Sequence, residues 1–192
     1  MELHTQRRAE AETPPLNTMA DAGPAVQEAP SVRVLQRQLK DLVKNPVEGF
    51  SAGLVDESDV YKWEVMVMGP PDTFYEEGFF KAHLTFPKEY PFMPPKLKFE
   101  TEMWHPNVYK DGRVCISILH DPGEDEFGSE QACERWLPIH TVKTIMLSVI
   151  SMLADPNDMS PANVDAAKQW REDPAAFKDK VRRLVRRSQE LL

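Results

Sequence analysis

Strict two-residue alternation of apolar and polar side chains occurs twice in close succession, and it constrains the fold more than any other feature of this chain. Trp63, Val65 and Val67 alternate with Glu64, Met66 and Met68; Ala82, Leu84 and Phe86 alternate with Lys81, His83 and Thr85. Successive side chains of a strand point to opposite faces, so both runs predict strands with one covered face. SAGLV (51–55) and KLKF (96–99) read as flanking strands, beside 61–68 and 80–86. The connections DESD, GPPDTFYEEG and PKEYPFMPP are short and full of turn formers. Short connections join antiparallel neighbours, because a parallel pair needs a crossover of roughly a dozen residues or more. The expectation is a four-stranded antiparallel meander.

Helical spacing brackets it. Val32, Leu35, Leu39, Leu42 and Val43 recur at offsets of three and four, with Ser31 as the expected N-cap and Asn45-Pro46 as the stop. The other face of that helix carries Arg33, Arg37 and Lys40, and the ordinary fate of such a row is solvation. Towards the C-terminus, Val142, Ile145, Met146, Val149, Ile150 and Leu153 form one stripe, ending at Ala154-Asp155-Pro156-Asn157. Phe177, Val181, Leu184, Val185 and Leu191 form another. Each such side chain laid on the sheet contributes roughly 1.5 to 3 kcal/mol, so these stripes read as core. The fold class is therefore α+β: an N-terminal helix, the meander, then C-terminal helices. Residues 1–30 are rich in Ala, Pro and Glu with little to bury, which predicts a disordered tail before one domain over 31–192.

Chemistry concentrates between the sheet and the later helices. Five prolines fall between positions 87 and 106, predicting rigid but irregular backbone. Next, Asn107 precedes Cys115 by eight residues with the turn signal Lys110-Asp111-Gly112 between them. A segment doubling back there would set an amide donor beside a thiol, an acyl-transfer arrangement. A cysteine in an apolar run such as VCISIL is more often a small core hydrophobe, which spacing alone favours. Residues 121–134, DPGEDEFGSEQACE, carry six acids and no base just beyond Cys115. Exposed pairs contribute only about 1 kcal/mol, so this loop is expected to steer a cationic amine or a basic protein face rather than do chemistry.

The formal charge of −8 and pI near 5.2 count against nucleic acid or an anionic membrane as partner. Two cysteines, Cys115 and Cys133, without an apolar leader predict a reducing compartment, cytoplasmic or nuclear. A metal site from His105, Cys115, His120 and Cys133 lacks the short paired ligand spacing such sites use, so no metal is expected.

The order of these features, with FPKEYPFMPP, HPN followed by Cys eight residues on, RWLP, and DPN…SPAN, resembles the catalytic domain of the ubiquitin-conjugating enzymes over nearly all of 31–192. The acidic insertion is similar to their G type, which has a lengthened active-site loop. The resemblance implies that Cys115 takes ubiquitin from the activating enzyme as a thioester. Cys115 would then yield it to lysines of a substrate or of ubiquitin, with a RING-type ligase, building chains of the degradation-marking linkage. It overturns the preference for a core cysteine. It also implies a monomer with no bound cofactor, since ATP is used upstream. Asn107 would donate to the oxyanion or hold the loop, His105 would brace the backbone and Pro106 would fix the turn.

Leu147 would pack the donor ubiquitin. Phe92, Pro138 and Leu35 would meet the ligase, and Arg33, Arg37 and Lys40 the activating enzyme. Shorter members place an aspartate near Ser160; here Ser160, Asp158 and the loop acids Asp121, Glu124 and Asp125 are left to support the amine. Two alternatives stand beside this reading. One is a cysteine hydrolase using Cys115 with His105 or His120; the other is a non-catalytic ubiquitin-binding variant of the same fold.

Overall fold

The computed structural model describes residues 28–125 and 130–190. Helix α1, Pro30–Lys44, leads into strands β1, Phe50–Leu54; β2, Lys62–Met68; β3, Phe79–Thr85; and β4, Lys96–Phe99. Helices α2, Val142–Ala154; α3, Val164–Glu172; and α4, Pro174–Gln189 follow. The strands pair in chain order and antiparallel throughout, the meander that the alternation predicts. Register puts Trp63 opposite Leu84, Val65 opposite Ala82, and Leu84 opposite Leu97, so one face of the sheet is apolar from edge to edge. Val142, Ile145, Met146 and Val149 of α2 and Phe177 and Val181 of α4 share a buried core with that face. Glu64, Lys81, His83 and Glu100 form ion pairs on the opposite face.

Three sequence expectations need correction. Helix α1 starts at Pro30 with Ala29 as its N-cap, because proline is preorganised for the first helical position, where no N–H partner is needed. Ser31 is instead buried, its hydroxyl 2.8 Å from that of Tyr61. Val43 is 71% exposed, so the apolar stripe of α1 ends at Leu42. A separate helix, α3, occupies VDAAKQWRE, capped by the Asn163 side chain accepting from Ala166 N. Its buried face is only Ala166 and Ala167, too small a stripe to stand out in the sequence. The tail expected over residues 1–30 lies outside the described residues up to 27, as does Leu191 of the last predicted stripe.

Candidate active site

A tight reversal carries the cysteine. Gly112 N–H donates to Tyr109 O at 2.9 Å and Tyr109 N–H to Arg113 O at 2.9 Å, closing the turn. Gly112 has φ +91° and a Cβ there would stand 2.2 Å from Phe99 O, so no other residue fits this turn without displacing backbone. Beyond it, Val114 N–H donates to Leu97 O at 3.0 Å, and Phe99 N–H to Gly112 O at 2.9 Å. The segment is thereby pinned along β4. Cys115 N–H then donates to Asn107 O at 2.9 Å, which brings the two residues together as the Asp-Gly turn predicts.

Asn107 is buried. Its Oδ1 accepts from Asn157 N–H at 2.8 Å and its Nδ2 donates to Asn157 O at 2.7 Å. The side chain thus staples the cysteine-bearing segment to the loop after α2. His105 sits behind it without solvent exposure. The Asn107 amide donates to His105 Nδ1 at 2.9 Å, and Nε2 faces Met152 O at 2.9 Å. A carbonyl only accepts, so Nε2 carries the ring proton and both nitrogens are occupied. Burial depresses the imidazole to a pKa of about 4, against the opposing effect of the Met152 hydrogen bond. This histidine is neutral, immobile and unavailable as a base. Pro106 contributes its carbonyl, which accepts from Asn163 N–H at 2.9 Å.

Cys115 is a half-buried free thiol in a cleft of about 230 Å³ lined by Asn107, Ser117, His120, Glu130, Ser151 and Ser160, among others. Burial and the nearby Glu130 charge raise the thiol pKa, partly offset by a hydrogen bond from Tyr109. At neutral pH the sulfur is therefore mostly protonated, and it needs an acceptor to become a nucleophile. His120 Nε2 lies 3.5 Å from Sγ.

The remaining predicted residues divide. Ser160 lines the cleft. Asp158 turns to Arg171, 3.5 Å from its Nη1. Asp125 lies 3.6 Å from Arg135, and Asp121 presents its backbone carbonyl to Arg135 Nε at 2.8 Å; Glu124 is exposed. Asp121, Asp125 and Glu130 thus gather on Arg135, one residue past the stretch read as free of bases. Leu147 projects from α2 beside the cleft-lining Ser148 and is 43% exposed. Phe92 and Pro138 are exposed on neighbouring loops, joined where Trp136 Nε1 donates to Pro91 O at 2.8 Å. Arg33, Arg37 and Lys40 are exposed on α1.

Leu35 is the correction: it is fully buried in the core, at the centre of the α1 stripe, and has no surface to offer a ligase. Tyr109, His120 as a sulfur partner, Glu130, Arg135 and Asn157 were not assigned to the transfer site from sequence. The sequence singles out His120 alone among them, as a candidate hydrolase base and as one member of a disfavoured metal set.

A half-buried thiol at an open cleft, on a segment pinned along an antiparallel sheet and backed by a buried HPN turn, is an arrangement suited to acyl transfer. Comparison makes the class specific. The family model described as "Ubiquitin-conjugating enzyme" matches residues 34–185. "Ubiquitin-conjugating enzyme E2 14" of Arabidopsis thaliana is 65% identical over 159 residues, 83% of this chain and 95% of the relative. "Ubiquitin-conjugating enzyme E2 G2" of Homo sapiens is 51% identical over 158 residues, 82% of this chain and 96% of the relative. The solved structure of human ubiquitin-conjugating enzyme E2 G1 aligns with TM-score 0.60 and 65% identity, covering 67% of this chain and 98% of that one. The chain belongs to the ubiquitin-conjugating enzymes, of the G type. It is accordingly a transferase of the ubiquitin conjugation pathway.

Proposed function

We propose that Cys115 accepts the C-terminal carbonyl of ubiquitin from the activating enzyme and holds it as a thioester. The acyl group then passes to a lysine amine of a substrate or of another ubiquitin, with a RING-type ligase. The observation that carries this reading is the half-exposed Cys115 thiol at the cleft, its backbone bonded to Asn107 O at 2.9 Å. A thioester stores an acyl group because thiolate is both a strong nucleophile and a good leaving group, so no bound cofactor is needed and ATP is consumed upstream. An amide has two N–H donors; one of Asn107's goes to Asn157 O, and the second is assigned to the oxyanion of the tetrahedral intermediate.

The partner surfaces are assigned from the family resemblance, and their exposure supports the assignment. Leu147 is assigned to the donor ubiquitin, Phe92 and Pro138 to the ligase, and Arg33, Arg37 and Lys40 to the activating enzyme. Ser160, Asp158 and the loop acids Asp121, Glu124 and Asp125 are assigned to support of the acceptor, and the product to chains of the degradation-marking linkage. The protein acts as a monomer in the reducing cytoplasm or nucleus.

The test is charging. With activating enzyme, ubiquitin and ATP, the wild type gives an adduct cleaved by thiols, and Cys115→Ser gives either none or an ester that resists thiols. Absence of an adduct from the wild type ends this reading. The approach of His120 to Sγ favours one other reading, a cysteine hydrolase, which requires hydrolysis of ubiquitin esters with no activating enzyme present.

A further inference from the structure

His120 and Glu130 form a chain that ends on the reacting sulfur. His120 Nδ1 lies 2.8 Å from Glu130 Oε2, and Nε2 lies 3.5 Å from Cys115 Sγ. A carboxylate only accepts, so Nδ1 holds a ring proton, and whenever the ring is uncharged Nε2 presents a lone pair to the sulfur. Glu130 is itself fixed: Oε1 accepts from the Ser117 hydroxyl at 3.0 Å, and Arg135 Nη1 stands 3.8 Å from Oε2. The pair is mostly shielded, with the two side chains 33% and 20% exposed.

In the free protein the partner of that lone pair is the Cys115 thiol. Acylation replaces the thiol hydrogen with a carbonyl carbon, which leaves Nε2 facing the acyl group with no hydrogen to accept from sulfur. The next donor to arrive in the cleft is the ammonium of the incoming lysine. It has no electron pair for attack until it loses a proton. A nitrogen attacking from about 3 to 3.5 Å of the carbonyl carbon, on the His120 side of the sulfur, can come within hydrogen-bond reach of the ring. Two other carboxylates nearby are engaged, Asp125 with Arg135 and the Glu130 amide and Asp158 with Arg171.

We propose that His120, oriented by Glu130, takes the proton of the attacking lysine during transfer from Cys115. The inference rests on Cys115 being the acyl carrier. The ammonium gives one proton to Nε2, and the freed pair forms the C–N bond while the carbonyl pair moves onto oxygen. That pair then re-forms the carbonyl, the C–S bond breaks with its electrons leaving on Sγ, and the nitrogen loses its second proton to solvent. The imidazolium returns its proton to sulfur. His120 is thus catalytic, and Glu130 is a positioning residue.

The full chain is charged with ubiquitin, ATP is removed, and loss of the thioester is followed in a single turnover with free lysine or with hydroxylamine. Hydroxylamine is already neutral at neutral pH and needs no base. For His120→Gln the lysine rate is expected to fall at least about tenfold, and the ratio of lysine to hydroxylamine rates to fall with it. Glu130→Gln loses part of the lysine rate. In His120→Ala, added imidazole restores lysine discharge. Among the described residues, the charged or titratable groups that line the clefts with His120 are Cys115, Asp125, Glu130, Glu134, Arg135 and Asp155, so Asp155→Asn is the comparator.

Equal lysine rates in charged wild type and charged His120→Gln overturn the proposal, as does an equal fall in Asp155→Asn or a failure of imidazole to rescue. A wild type that never charges refutes the carrier reading instead. A His120→Gln protein that charges has folded, which keeps the comparison meaningful.

Discussion

His105 and Cys115 sit a few residues apart and are driven to opposite protonation behaviour by the same burial. His105 keeps a neutral ring with a pKa of about 4, whereas in the unfolded chain it takes the ordinary value near 6.5. Between those values the unfolded chain binds the extra proton, so stability rises with pH there. The contribution is fully present above about pH 6.5 and is lost as pH falls towards about 4, a total of roughly 3 kcal/mol. Urea unfolding from neutral pH down to about pH 5 should show this loss, and His105→Asn, lower in overall stability, should show a shallower slope. For Cys115, Tyr109→Phe removes the hydrogen bond that opposes the rise in thiol pKa. Alkylation by iodoacetamide at neutral pH should slow, with the midpoint of its pH profile moving up. At Asn107, Asn107→Ala leaves both backbone groups of Asn157 unpaired, and a loss of about 1 to 3 kcal/mol in thermal or denaturant unfolding is expected.

The reversal between Asn107 and Cys115 is an element whose sequence determines its geometry nearly alone. Gly112→Ala puts a methyl group 2.2 Å from Phe99 O at φ +91°, and backbone strain of that kind costs of order 1 to 3 kcal/mol. The unfolding midpoint should fall, and the charging rate with it, because the same turn aligns Cys115 against β4. Elements governed by periodicity were legible in this way: a two-residue repeat can satisfy only a strand, and β2 and β3 lie where it occurs. Helix α3 was not, since two alanines bury its face and alanine marks no side of a helix. Leu35 was misassigned to the surface although its own spacing from Val32 and Leu39 put it on the covered stripe. Glu130 was one carboxylate among six in the loop, and no local pattern distinguishes the one that reaches His120. That contact joins residues ten apart in the chain through tertiary packing.

Across the molecule, the proposed docking surfaces are linked by hydrogen bonds and ring packing. Gln38 of α1 donates to the Tyr90 hydroxyl at 2.9 Å and accepts from Val142 N–H of α2 at 2.9 Å. Tyr90 in turn packs against Trp136, with ring centroids 5.9 Å apart. The basic face of α1 and the loops carrying Phe92 and Pro138 are therefore joined through Gln38. Surfaces this close should not serve two large partners at once, so excess activating enzyme should suppress ligase-stimulated discharge of the charged protein. Discharge unaffected by that excess would show that the two surfaces are independent.

All of this depends on where the acyl group is held. The most direct measurement is peptide mass spectrometry of the charged protein after its free thiols have been alkylated, with Cys115 and Cys133 read separately. Ubiquitin attached through Cys115, with Cys133 alkylated and Cys115 open to alkylation only after thiol treatment, is the expected result. Attachment at Cys133 or at a lysine, with Cys115 alkylated throughout, would contradict it.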